Sequence, residues 1–188
     1  MESVLTKAVE DACRTLKALA GEEAAFQAIA QAAVASLRAG GKILACGNGG
    51  SAADAMHLTE ELVGRYRGNR RSLAGVSLTA DPTALTCIGN DFGFENVFSR
   101  QVEGLANAND LLICFSSSGN SPNILRAIDA AKAKGAKTVA LLGKGGGKAR
   151  GKADWEIIIA NSDSGRVQEA HTVILHALLE VIEHEMIK

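Results

Sequence analysis

His57 and Glu61 stand four residues apart in a segment, Ser51 to Arg65, whose pattern predicts a helix, so both side chains leave one helical face. An imidazole and a carboxylate so placed can hold a divalent metal, pass a proton, or simply pair on a surface. The turn before them favours chemistry. A short apolar run, Ile43, Leu44 and Ala45, stops at Gly47, Asn48, Gly49 and Gly50, and Ser51 opens the helix. Glycines let the main chain approach a ligand closely, and the first N–H groups of a helix lack internal partners, so an anion is favoured there.

A second stretch is better equipped for an anion. Ser116, Ser117, Ser118 and Ser121 supply four hydroxyls within six residues, Gly119 gives backbone access, and Pro122 starts a helix behind them. No lysine follows in the GxxxxGK[ST] manner, which argues against a nucleoside triphosphate and for a phosphomonoester on a small molecule. The plain alternative is a polar turn with Ser121 as an ordinary N-cap. The last predicted helix, about 165–186, carries Gln168, His171, His176, Glu180 and His184. Gln168 and His176 are about 12 Å apart along the axis, so spacing alone does not pair them; His176 with Glu180, or Glu180 with His184, is the more obvious local pair. His184 suits the negative end of a helix, and His171 reads as structural rather than ligating.

The elements that must position these groups alternate. Helices are predicted over 2–19 and 22–38, the second Ala-rich and suited to covering a sheet face or packing on another subunit. Strands are predicted from Lys42, over Leu73 to Leu78, Asp110 to Phe115, Thr138 to Leu142 and Trp155 to Ala160. Asp81 and Pro82 mark a helix start. Cys87 to Glu95 reads as a glycine-punctuated loop centred on Asn90 and Asp91, 94–105 as helical, Pro122 to Lys134 as a helix, and 143–152 as a flexible basic loop. Strand–helix alternation of this kind predicts an α/β, three-layer Rossmann-like parallel sheet with two N-terminal helices: one domain over 1–188, helical over 1–40 and α/β over 41–188. Both candidate loops then lie at carboxyl ends of strands, where ligands collect in such sheets.

Composition excludes several classes. The chain has 188 residues, 47% of them apolar and 4% aromatic, with 20 basic and 21 acidic side chains. No basic face for nucleic acid is expected, no apolar run reaches a membrane span, and the acidic amphipathic start is no signal peptide. Cys13, Cys46, Cys87 and Cys114 form no CxxC pair and read as reduced, mostly buried thiols of a cytoplasmic protein.

Four separated motifs, GNGGSAADAMHLTEELVGRY, the IGND loop, SSSGNS and GRVQEAHTVILH, together resemble the sedoheptulose 7-phosphate isomerases (phosphoheptose isomerases) of the sugar isomerase (SIS) domain superfamily. The resemblance implies a homotetramer that converts sedoheptulose 7-phosphate to D-glycero-D-manno-heptose 7-phosphate through an enediol, toward the heptose of bacterial surface polysaccharide. It implies one Zn2+ per subunit on His57, Glu61, Gln168 and His176, with Glu61 and His176 also catalytic. The phosphate falls to Ser116, Ser117, Ser118 and Ser121, and the sugar to Asn48, Gly49, Gly50, Ser51, Asn90 and Asp91, with Glu61 and Gln168 also in contact. Arg65 would reach a neighbouring subunit's site. The chain departs from the family pattern at Met56, where Gln is common, and over 160–165, where a proline is often found. The rival readings are an isomerase of another sugar phosphate, or a non-catalytic scaffold of the same superfamily that binds the replication initiator; retention of all four ligand positions favours the enzyme.

Overall fold

Two runs, Ile43–Gly47 (β1) and Leu111–Ser116 (β3), are buried at every position, as strands covered on both faces must be. The computed structural model describes residues 3–187. In it these strands are neighbours at the centre of a five-stranded parallel sheet of order β2-β1-β3-β4-β5, with β2 at Gly75–Ser77, β4 at Lys137–Leu142 and β5 at Trp155–Ile158. The expected three-layer α/β architecture is present. Side chains alternate between its two cores. Ile43, Ala45, Leu111, Ile113 and Phe115 face α2 (Glu23–Arg38), α3 (Gly50–Val63) and α7 (Ser164–Met186). Leu44, Cys46, Leu112 and Cys114 face α4 (Pro82–Phe92), α5 (Ser99–Leu105) and α6 (Pro122–Ala133).

The first helix, α1 (Val4–Leu19), packs Leu16 and Leu19 onto the first core and leaves Val4, Leu5 and Val9 exposed. Residue 2, where that helix was expected to start, lies outside the described residues. Between the two N-terminal helices a 3-10 turn, Ala20–Glu22, takes the place of a plain break.

Several expectations need correcting. The predicted loop at Cys87 to Glu95 is mostly helix: Asp81 caps α4 by accepting the N–H groups of Thr83 and Ala84, Pro82 occupies its first turn, and the helix runs to Phe92 before Gly93, at φ 86°, ends it. Gly89 does not break it. Residues 94–105 are a 3-10 turn, Phe94–Asn96, and the short α5 rather than one helix. Strands β2 and β5 are shorter than their apolar runs. The 143–152 segment forms tight 3-10 turns within Lys144–Ala149, interrupted by Gly145, Gly146 and Gly147 at positive φ, and Gly146 and Ala149 are buried. Cys46 and Cys114 are buried, Cys13 and Cys87 exposed. Among the described residues no helix is long and apolar enough to cross a membrane.

The amino ends of β1 and β3 are fastened by Asp110, only 2% exposed. Its carboxylate accepts the N–H of Lys42 at 2.9 Å and that of Asn107 at 2.8 Å, and pairs with Lys42 Nζ at 2.6 Å. Removing one partner of such a pair leaves charge and donors uncompensated. Asp110→Ala is therefore expected to lower stability by about 2–3 kcal/mol in urea unfolding, while Lys42→Met, which leaves the backbone donors in place, costs less.

Candidate active site

The strand order reverses between β1 and β3, the chain adding strands to one side of that pair and then to the other, and the loops leaving these two strands flank the crevice there. Gly47 is in register with Phe115, so the glycine turn and the serine loop start side by side. They are also tied: the amides of Asn48 and Asn123 exchange two hydrogen bonds of 2.9 Å each. Asn123, 1% exposed, carries no signal in the sequence, because nothing local marks a partner 75 positions away.

The serine loop holds its shape with part of its hydroxyl set. Ser116 Oγ accepts the Gly119 N–H at 3.1 Å, Ser118 Oγ accepts that of Asn120 at 3.2 Å, and Ser117 Oγ donates to Ser164 Oγ at 3.4 Å. Ser121 occupies the N-cap position of α6, yet its hydroxyl makes no capping bond. A cap hydroxyl left free beside a helix amino terminus suits an incoming anion better than it suits the plain-turn reading.

On α3, His57 Nε2 lies 3.7 Å from Glu61 Oε1 and 3.4 Å from His176 Nε2 on α7, the two rings edge to face at 4.9 Å. Helices α3 and α7 pack on the same sheet face, and this brings together residues 119 positions apart, the pairing that helical spacing alone did not select. Donor separations in a tetrahedral zinc site are about 3.3–3.5 Å, from bonds of about 2.0–2.1 Å. Two imidazoles and a carboxylate at such distances fit a divalent ion. Glu60, absent from the sequence reading, also falls within reach: ligand atoms of His57, Glu60 and Glu61 all lie within 4.8 Å of one another. Gln168 packs against the amino end of α3, where a Cβ on Gly50 would sit 2.5 Å from its Nε2. Gly50 is thus required for close approach of this amide, beyond any role in the turn.

The remaining expected residues are placed less tellingly. Gly49 (φ 58°) is the cap of α3 and Ser51 is buried in its first turn. Arg65 is exposed just beyond that helix. Asn90 and Asp91 sit on the exposed last turn of α4, not in a loop, and bond each other and Cys87 rather than either cradle. The missing proline before the last helix is no obstacle, since Asp163 caps α7 through the N–H groups of Gly165 and Arg166. Met56 is exposed and meets no expected ligand.

Two buried groups frame the site. His171 is fully buried edge-on to Phe115, in keeping with its structural reading, and burial pushes its imidazole down to about 4. The Leu142 carbonyl offsets this slightly without forming a hydrogen bond of ordinary geometry to either ring nitrogen. Asp54, one turn before His57, is 7% exposed. Burial raises its carboxyl to about 6, against the Thr172 hydroxyl bonded to Oδ1 at 3.2 Å and the nearby His57, while Oδ2 has no partner. Its i, i+3 spacing to His57 was the available sequence signal.

The family model described as SIS domain matches residues 9–143, which defines the class. The chain is 46% identical to the phosphoheptose isomerase of Sodalis glossinidius, over 99% of this chain and 97% of that one. It is 52% identical to that of Vibrio parahaemolyticus over 87% and 85%. The solved phosphoheptose isomerases of Francisella tularensis (TM-score 0.92, 33% identity, 96% of each chain) and Neisseria gonorrhoeae (TM-score 0.89, 37% identity, 96% and 97%) share its fold. The chain belongs to the phosphoheptose isomerase family, a family of sugar-phosphate isomerases.

Because the folded state raises the Asp54 pKa from 3.8, the native protein keeps a proton there that the unfolded chain has already lost. The group's stabilising contribution is full below pH 3.8 and disappears as pH rises through about 6. Asp54→Asn lacks this dependence, so on going from pH 4 to pH 7.5 its stability in chelator-treated protein should gain about 2 kcal/mol relative to the parent, read from urea midpoints.

Proposed function

We propose that the protein interconverts sedoheptulose 7-phosphate and D-glycero-D-manno-heptose 7-phosphate, the activity carried by its family. The observation that supports this most is the meeting of His57, Glu61 and His176 from two helices, on a sheet whose switch point carries an anion-ready serine loop. The phosphate is held by Ser116, Ser117, Ser118 and Ser121 with the amino terminus of α6. Asn48, Gly49, Gly50, Ser51, Gln168, Asn90 and Asp91 face the sugar, the last two from the end of α4, and Arg65 serves a neighbouring subunit.

Ketose-to-aldose conversion removes a proton from C1 and returns it to C2, while the hydroxyl proton moves from O1 to O2 through an enediol. Glu61 carries the carbon proton, and His176 handles the oxygen protons. A carboxylate has two oxygens, so Glu61 can serve as a ligand with one and as a base with the other. Zinc on His57, Glu61, Gln168 and His176 would supply Lewis-acid polarisation of the substrate oxygens. A homotetramer accompanies this reading. The exposed α1 residues Val4, Leu5 and Val9, and a groove of about 250 Å³ lined by Leu16, Leu19, Phe26 and Val173, suit burial against another copy.

Incubation with sedoheptulose 7-phosphate should yield the aldose, and a chelator should abolish turnover until zinc is restored; no product under any metal condition would sink the isomerase reading. Glu61→Gln is expected to lower kcat at least ~1,000-fold while substrate still binds by calorimetry. Ser121→Ala, which removes a hydroxyl with no structural bond to lose, should instead raise KM about tenfold at nearly constant kcat, worth about 1.4 kcal/mol of binding.

A further inference from the structure

The segment from Gly64 to Ser72 has no helix or strand of its own, yet it is held by one of the most heavily bonded charges in the molecule. Glu183, 6% exposed and two turns after His176 on α7, turns its carboxylate toward this strap. Its Oε1 accepts the Tyr66 N–H at 3.0 Å and Arg70 Nε at 3.1 Å; its Oε2 accepts the N–H groups of Arg67 and Gly68 at 3.1 Å each. Burial pushes the Glu183 carboxyl up, but these backbone donors and the Arg70 guanidinium outweigh it and hold it below its ordinary value.

Arg70, its side chain 3% exposed, completes the bracket. Its two terminal nitrogens donate to the carbonyls of Leu62 at 2.9 Å and Glu61 at 2.6 Å, which the end of α3 leaves without helical partners. One ion pair therefore joins the backbone of Glu61 to the helix that carries His176. The strap it anchors lays the Tyr66 ring on the His176 imidazole, centroids 5.5 Å apart and planes 25° from parallel. Arg67 lies over the Tyr66 ring, 5.1 Å from its centroid, and pairs with Glu180 at 2.6 Å.

We infer that Glu183 and Arg70 are positioning residues for the isomerisation, acting through Tyr66 to fix the His176 ring and through the Glu61 carbonyl to fix the end of α3. The inference rests on the isomerase reading for its kinetic consequence, but its geometry can be read without turnover. A planar ring packed on an imidazole restricts rotation about the bond that aims the reactive nitrogen. Stacking needs the ring and not the phenol hydroxyl.

The test uses Glu183→Gln, Tyr66→Ala and Tyr66→Phe in the full chain, with kinetics on sedoheptulose 7-phosphate and proton NMR of the His176 ring, assigned by His176→Asn. Glu183→Gln and Tyr66→Ala should lower kcat about 10- to 100-fold with KM within about threefold, and should erase the upfield ring-current shift of His176. Tyr66→Phe should retain both activity and shift. Parent-like kcat in Tyr66→Ala, lost activity with the His176 shift intact, or a Phe variant as impaired as the Ala variant would each overturn the proposal. If Glu183→Gln fails to fold, the half-exposed Tyr66 pair decides alone. Absence of isomerase activity in the parent protein would instead count against the isomerase reading, and the His176 shift would still decide whether the strap holds the ring.

Discussion

Parallel pairing of β1 with β3 is the constraint on which the other features depend. The register that sets Gly47 against Phe115 makes both loops emerge at the same level, one glycine-rich and one serine-rich. Any slip by one residue would turn Ala45 and Ile113 toward the wrong core and separate the loops at the same time. The carboxylate of Asp110 guards that register from the far end, and the reciprocal Asn48–Asn123 amides guard it at the site. Packing and chemistry thus share one pair of strands.

The buried charges divide by whether the backbone answers them. Asp110 and Glu183 are met by several N–H groups and a cation each. These groups fasten strands and straps. Asp54 and His171 have no such complement, and burial pushes both toward their neutral forms. Both lie on or beside the helices that carry the site. The fold keeps compensated charge where it needs rigidity, and leaves uncompensated polar groups next to the reacting region, where perturbed ionisation tends to gather.

Much of this architecture was legible in the chain, because β1 and β3 are uninterrupted apolar runs and because glycine, proline and serine mark the turns. The failures have specific causes. Gly89 and Gly93 bracket Asn90 and Asp91 as they would in a loop, but the Asp81 cap and Pro82 give α4 enough start to carry through one glycine. The site's long-range contacts were not legible from spacing. His176 meets His57 because α3 and α7 share a sheet face, and Asn123, in the first turn of α6, meets Asn48 in the turn after β1; neither fact has a local signature. The resemblance supplied the ligand set that spacing left open, but it carried no hint of Glu183.

The serine loop shows why the glycines of 143–147 matter although they bear no chemistry. A Cβ on Gly147 would stand 2.4 Å from the Ser118 carbonyl, and one on Gly143 would stand 2.8 Å from that of Ser117. Gly119, at φ 62°, is pressed in turn against the Gly146 carbonyl, and its own carbonyl accepts the Ala149 N–H at 2.9 Å. Two backbones therefore approach closely, and the Asn120 side chain ties them by accepting the Lys148 N–H at 3.1 Å. That contact adds to the hydroxyl bonds by which Ser116 and Ser118 hold the loop's shape. A segment expected to be a flexible basic loop instead backs the serine loop, and its glycines serve closeness of approach rather than freedom of motion.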